Sequence, residues 1–192
     1  MTRFYSSDLH LGHSNIIKYG NRPFANADEM DEFLITTHNQ YVRPEDHWSN
    51  LGDVTMSRGG QVQQDAFIRL MKRFNGHKRL YLGNHDHFPI KTYIEAGFEK
   101  IYATWRDESG LIFSHFPLHP SSLGSATANV HGHVHQNPSP VPAVYVGKDQ
   151  KVWIKPYINI SVEVTDYRPI SHEEIMERVK AVKESKGSWE PT

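Results

Sequence analysis

The chain contains no cysteine. That excludes a disulfide framework and any thiolate metal site, so a metal bound by this sequence would be held through nitrogen and oxygen. Long hydrophobic runs are missing as well. Nothing approaches the roughly 20 apolar residues that a membrane-spanning helix needs, and the start, Met1-Thr-Arg-Phe-Tyr-Ser-Ser-Asp, has no charged segment followed by an apolar one. Nor does one sign of charge dominate: 21 Lys and Arg against 22 Asp and Glu leave a net charge of -1. This argues against strong non-specific attraction to nucleic acid. No internal repeat or linker interrupts the chain. The expectation is a cytoplasmic protein with no membrane partner, folded as one domain over its 192 residues. A chain of this size buries about 70% of its unfolded surface and needs no staple to fold.

What the sequence does have is histidine, thirteen in all, most of them near five short clusters. The clusters are Asp8-Leu-His10, Gly52-Asp53, Gly83-Asn-His-Asp86, His115 within Phe113-Ser-His-Phe, and Gly132-His-Val-His135. The elements around them alternate. Arg3-Phe-Tyr-Ser-Ser reads as a first strand, followed by a helix that Asn26-Ala-Asp-Glu29 caps and whose Met30, Phe33, Leu34 and Tyr41 share a face. A strand near His47-Trp-Ser-Asn-Leu51 runs into Gly52. Val62 to Phe74 predicts a second helix, with Asn75-Gly76 as its stop.

Strands are then expected at Lys78–Leu82, Leu111–Ser114 and Ala128–His131, with a short helix from Ile90 to Ala96 ended by a left-handed Gly97. The stretches 117–127 and 136–142 read as loops, and 151–165 as strand or hairpin. Ser171-His-Glu-Glu174 is a capping box opening a last helix with Ile175, Val179 and Val182 on one side, and 186–192 reads as a frayed tail. This order predicts an α/β fold, parallel early and richer in strand late, with four clusters directly after strands, where such folds bind ligands.

Residues two apart on an extended segment point the same way, so Asp8 with His10, and His133 with His135, are expected to present paired ligand atoms. Carboxylate oxygen with neutral imidazole suits manganese, iron, zinc or nickel rather than calcium. Taken singly, each residue has an ordinary explanation: Asp53 as a strand-end cap, Asn84 as a turn residue. The ordered set is what points to metal.

In that order, D-x-H, G-D, G-N-H-D, a single His and G-H-x-H resemble the calcineurin-like metallophosphoesterases. The opening Ser7-Asp-Leu-His-Leu-Gly-His13-Ser-Asn15-Ile-Ile, with Arg22-Pro-Phe24, is similar to a subgroup of small bacterial and phage members. The resemblance implies a two-sheet sandwich flanked by helices, with two divalent metal ions, manganese foremost and iron, zinc or nickel as alternatives. Asp8, His10 and His135 would hold one ion, Asn84, His115 and His133 the other, and Asp53 would bridge them. His85 would contact the phosphate, with Asp86 orienting its imidazole.

The activity implied is hydrolysis of phosphodiesters or phosphomonoesters by a metal-bridging hydroxide. The alternatives are a nuclease of the same chemistry and a non-catalytic binding scaffold. Small or flexible phosphate esters are favoured over duplex nucleic acid as substrate, and no residue sets the oligomeric state. His13 and Arg22 are candidate substrate contacts, Arg being frequent in phosphate recognition, while Asn15, His87, His119 and His131 neighbour the clusters. His38, His47, His77 and His172 receive no functional role.

Overall fold

A computed structural model describes residues 1–140, 142–146 and 152–186. Its centre is a five-stranded sheet built from β1 (Arg3–Ser6), β2 (His47–Asn50), β3 (His77–Tyr81), β4 (Phe98–Tyr102) and β11 (Ile170–Ser171), in the order β11-β1-β2-β3-β4. β1 to β4 run parallel, and β11 joins the edge antiparallel. The second sheet contains β5 (Thr104–Arg106), β6 (Leu111–Ser114), β7 (Ala128–His131) and β10 (Tyr157–Asn159), in the order β10-β7-β6-β5. Here β10, β7 and β6 are parallel and β5 is antiparallel. β8 (Ala143–Val146) and β9 (Val152–Lys155) form a separate antiparallel hairpin.

The helices are α1 (Ser14–Tyr19), α2 (Ala27–Tyr41), α3 (Gln61–Met71), α4 (Ile90–Glu95) and α5 (His172–Lys186). One apolar cluster joins α2, α3 and α4 to the outer face of the first sheet through Met30, Leu34, Ile35, Phe67, Met71 and Tyr93 against Trp48, Leu80 and Phe98. A second lies where the sheets face each other and α5 closes the end: Tyr5, Leu51 and Tyr81 meet Phe113, Val130, Ile158, Ile175 and Val179. The Tyr5 and Phe113 rings stack there at 4.7 Å, a pair worth about 1 kcal/mol beyond its burial. This is the expected two-sheet sandwich flanked by helices.

Local signals hold where they are chemical. Asn26 accepts the Glu29 N–H at 2.9 Å, while Glu29 reaches back to the N–H of Ala25. Ser171 and Glu174 exchange hydrogen bonds as a complete capping box, and Gly97 is left-handed. Other expectations need correcting. On α2 the buried face is Met30, Asp31, Leu34, Ile35 and His38, whereas Phe33 and Tyr41 are exposed. Phe33 instead packs at the surface on Phe24 and Tyr167. α3 ends at Met71, so Asn75-Gly76 is not its stop; left-handed Gly76 shapes the entry to β3. The loop 117–127 carries a 3-10 turn at Pro120–Leu123. Of the expected tail, 187–192 lie outside the described residues.

Candidate metal centre

Every cluster follows the carboxyl end of a strand. Asp8 and His10 come after β1, Asp53 after β2, and Asn84, His85 and Asp86 after β3, all on the first sheet. His115 follows β6 and His133 and His135 follow β7, on the second. The centre therefore straddles the seam between the sheets. The loops after β1 and β2 stay in register through Asp8 N–H to the Gly52 carbonyl and His10 N–H to the Asp53 carbonyl, both 3.0 Å.

Two groups of candidate ligands result: Asp8 with His10 and His135, and Asp53 with His115 and His133, each with ligand atoms within 4.8 Å of one another. Asp53 lies between them, its Oδ2 3.7 Å from His10 Nε2 and 3.4 Å from His115 Nε2. Asn84 reaches the second group through its Oδ1, 3.0 Å from His115 Nε2. The structure thus brings together all seven residues the sequence singled out.

The way they are presented differs from expectation. Asp8, His10, Asp53, His133 and His135 have φ of 60, 53, 53, 71 and 52°, so these segments are left-handed rather than extended. Among the described residues they are five of the eight non-glycine positions with positive φ. Such backbone costs on the order of 1 kcal/mol or more per residue and concentrates at functional sites. Strand pleat does not aim these side chains; tight turns just beyond the strands do.

The motif glycines make those turns fit. A Cβ on Gly132 would lie 1.9 Å from Ser7 Oγ and 2.4 Å from Asp8 Oδ2, and one on Gly83 would lie 2.2 Å from Asp53 Oδ1. Gly52 combines a φ of 93° with a Cβ position 2.6 Å from His115 Nδ1. Glycine is needed because Asp8 and Asp53 occupy the space beside Gly132 and Gly83, and His115 the space beside Gly52.

The residues fit a metal by their own chemistry. His10 is buried, yet neither of its ring nitrogens has a hydrogen-bond partner. Burial pushes its pKa down to about 3, leaving a neutral imidazole whose Nε2 lies 3.7 Å from Asp53 Oδ2. Asp8 is fully buried and its carboxyl is raised by that burial, against the pull of His115 and His135. Burial opposes charge on Asp53 and His115 too, while their mutual contact lowers the acid and raises the imidazole; a bound ion would take the place of the His115 proton. His115 donates from Nδ1 to the Leu51 carbonyl at 2.8 Å, which directs its Nε2 into the centre.

Two roles expected from the sequence change. Asp86 does not orient His85: its two oxygens accept the N–H groups of Asp53, Val54 and Gly83 at 2.8–3.0 Å, and His85 Nδ1 has no partner. Asp86 instead ties the loop after β2 to the loop after β3, and burial pushes it up to about 6. Arg22 is not available to substrate, because its side chain is fully buried and bonds to the carbonyls of Asp8 and Leu9 and to Glu163. Glu163 itself carries no sequence signal; it sits in a 3-10 turn and accepts His135 Nδ1 at 2.8 Å.

His13 and His85 do face open space. Together with His10, His135, Ile16, Tyr19 and Met56 they line a cleft of about 290 Å³. His85 is partly exposed, with its Nε2 4.0 Å from Asp53 Oδ2. The remaining neighbours separate: His119 caps the 3-10 turn through Ser121, and His131 is buried with Nδ1 donating to the Gly132 carbonyl. Asn15 and His87 are exposed outside both ligand groups.

Fold and centre define a class: a two-sheet α/β protein with clustered Asp, His and Asn ligands where the carboxyl ends of both sheets meet. No family model matches the chain. An uncharacterized protein of Methanocaldococcus jannaschii is 32% identical over 177 residues, 91% of this chain and 89% of that one. A protein of unknown function from Aquifex aeolicus is similar in structure, with a TM-score of 0.65 and 26% identity over 92% of this chain and 98% of that one. A Pseudomonas putida nuclease, MPE, is a more distant likeness, at a TM-score of 0.48 and 18% identity over 80% of this chain and 73% of that one. The chain therefore belongs to one family with the Methanocaldococcus jannaschii protein, and its D-x-H, G-D, G-N-H-D, single-His and G-H-x-H motifs converge on one centre.

Proposed function

We propose that this protein is a dinuclear metal-dependent phosphoesterase, with Asp8, His10 and His135 holding one ion, Asn84, His115 and His133 the other, and Asp53 shared. The observation that carries this is the position of Asp53 Oδ2, within 3.7 Å of a histidine from each group. Nitrogen and oxygen donors without thiolate favour manganese, with iron, zinc or nickel as alternatives. Two ions in such a site lower the pKa of a water and neutralise phosphoryl oxygens during displacement.

The chain's own residues do the rest. Asp53 supplies the anion between the two sites, held by the N–H of His85 on its Oδ1 at 2.8 Å. His85 stands at the wall of the cleft with its Nδ1 buried and its Nε2 4.0 Å from Asp53 Oδ2, so Nε2 is the atom positioned to hydrogen-bond a phosphoryl oxygen or to give a proton to the departing alcohol. His13, whose Nδ1 is also buried and unpartnered, lines the same cleft. The modest cleft supports small or flexible phosphodiesters and phosphomonoesters as substrates. A complete ligand set, with His85 retained, is what a scaffold without turnover would not require.

The test is to strip the protein with a chelator and assay a panel of activated diesters, monoesters and cyclic nucleotides before and after adding Mn²⁺. Hydrolysis should vanish on stripping and return with the metal. Hydrolysis that persists undiminished in chelator would sink the proposal.

A further inference from the structure

The Arg22-Pro-Phe24 run and Glu163 lie outside the ligand set, yet they are bound into it. We propose that Arg22 and Glu163 are positioning residues that make the group Asp8, His10 and His135 the tighter metal site and the first to fill. This rests on the reading that both groups hold metal.

A single oxygen, Glu163 Oε1, accepts His135 Nδ1 at 2.8 Å, Arg22 Nε at 2.9 Å and Arg22 Nη2 at 2.6 Å. The Arg22 and Glu163 side chains are 0% and 4% exposed. With Nδ1–H donated, the lone pair of His135 is on Nε2, which faces Asp8 at 3.9 Å. The remaining reach of Arg22 goes to main chain: Nη2 to the Asp8 carbonyl at 2.6 Å and Nη1 to the Leu9 carbonyl at 2.8 Å. Those carbonyls belong to the left-handed turn that presents Asp8 and His10. Asn159 adds a hold on the His135 carbonyl at 2.6 Å.

One buried ion pair therefore fixes the tautomer of one ligand and the backbone of the other two. The ligands are in place before an ion arrives, so binding orders little. The second group is built more loosely. Asn84 is exposed, and the His133 ring rests against the rings of His115 and Phe116 at 5.1 and 4.5 Å. Phe116 is itself 46% exposed. A buried ion pair is often no more stable than an apolar substitute, so keeping one here fits a role in positioning better than a role in stability.

The experiment is titration of metal-free, full-length protein with Mn²⁺ at neutral pH, reading free ion by electron paramagnetic resonance. Wild type should take up its first equivalent at least about tenfold more tightly than its second. Glu163→Gln, which keeps the side-chain volume, should weaken the first step about 10- to 100-fold and the second by less than about threefold. Asn84→Ala should weaken the second step alone. Arg22→Lys provides an independent variant with the same expected selectivity, and thermal melting identifies any variant that has not folded. Equal loss at both steps in Glu163→Gln and Arg22→Lys, or two equal steps in wild type, would overturn the inference. No Mn²⁺ uptake by wild type would overturn the metal-centre reading and this inference with it.

Discussion

At the scale of the residue, the centre depends as much on side chains that are missing as on those present. Gly132 leaves room for Ser7 Oγ and Asp8 Oδ2, which a Cβ would approach to 1.9 and 2.4 Å. Gly132→Ala should therefore displace Asp8 and weaken metal uptake more than about tenfold, a loss comparable to removing a group that orients a ligand. Calorimetric Mn²⁺ titration checks this, and unchanged affinity would contradict it. The candidate ligands were legible as a set because metal chemistry restricts the choice to Asp, His and Asn, and five such clusters rarely arise in order. Arg22, Glu163 and Asp86 were not legible. Their roles depend on partners 141 and 33 positions away, as in Arg22 with Glu163 and Asp86 with the Asp53 N–H, and no local pattern records such pairings.

At the scale of the element, the tie between loops matters most. Asp86 accepts three backbone N–H bonds from the segments after β2 and β3, the segments that carry Asp53 and Asn84. Asp86→Ala leaves three donors without it, at about 1–3 kcal/mol for each one that stays buried and unmade. The variant should unfold at a denaturant midpoint lower by at least about 2 kcal/mol of stability, and should lose metal affinity as the loops separate. A variant as stable as wild type would refute that assignment. Helix starts with a capping side chain, such as Asn26 and Ser171, were readable because a cap is local chemistry. β4 was not, since its burial runs buried, exposed, exposed, half-buried, half-buried and lacks alternation. α1, at six residues, is too short to show a period.

At the scale of the whole molecule, the site exists because two sheets meet, and the packing of β6 and β7 against the first sheet is non-local. The sequence placed four of the five clusters directly after strands but could not show which ends adjoin. Burial of neutral histidine also sets a global response to acid. Burial pushes His38 and His131 each down to about 4. In the unfolded chain such groups titrate near 6.5. A folded pKa below the unfolded one gives stability that is complete above pH ~6.5 and is lost as pH falls towards 4. His38 belongs to the core, with Nε2 donating to the Asn75 carbonyl beside Trp48 and Phe74. Asp31 and Asp86, which burial raises to about 7 and about 6, act in the opposite sense, so the test is the stability gap between wild type and His38→Gln in urea: it should shrink from pH 7 to pH 4.5, and an unchanged gap would contradict the neutral, buried state of His38.

The central claim, two metal ions held across the seam between the sheets, is tested most directly by anomalous diffraction from crystals soaked in Mn²⁺. Two peaks about 3.5 to 4 Å apart are expected, one beside Asp8, His10 and His135, the other beside Asn84, His115 and His133, with Asp53 touching both. A single peak, or peaks elsewhere with these seven residues unengaged, would contradict it.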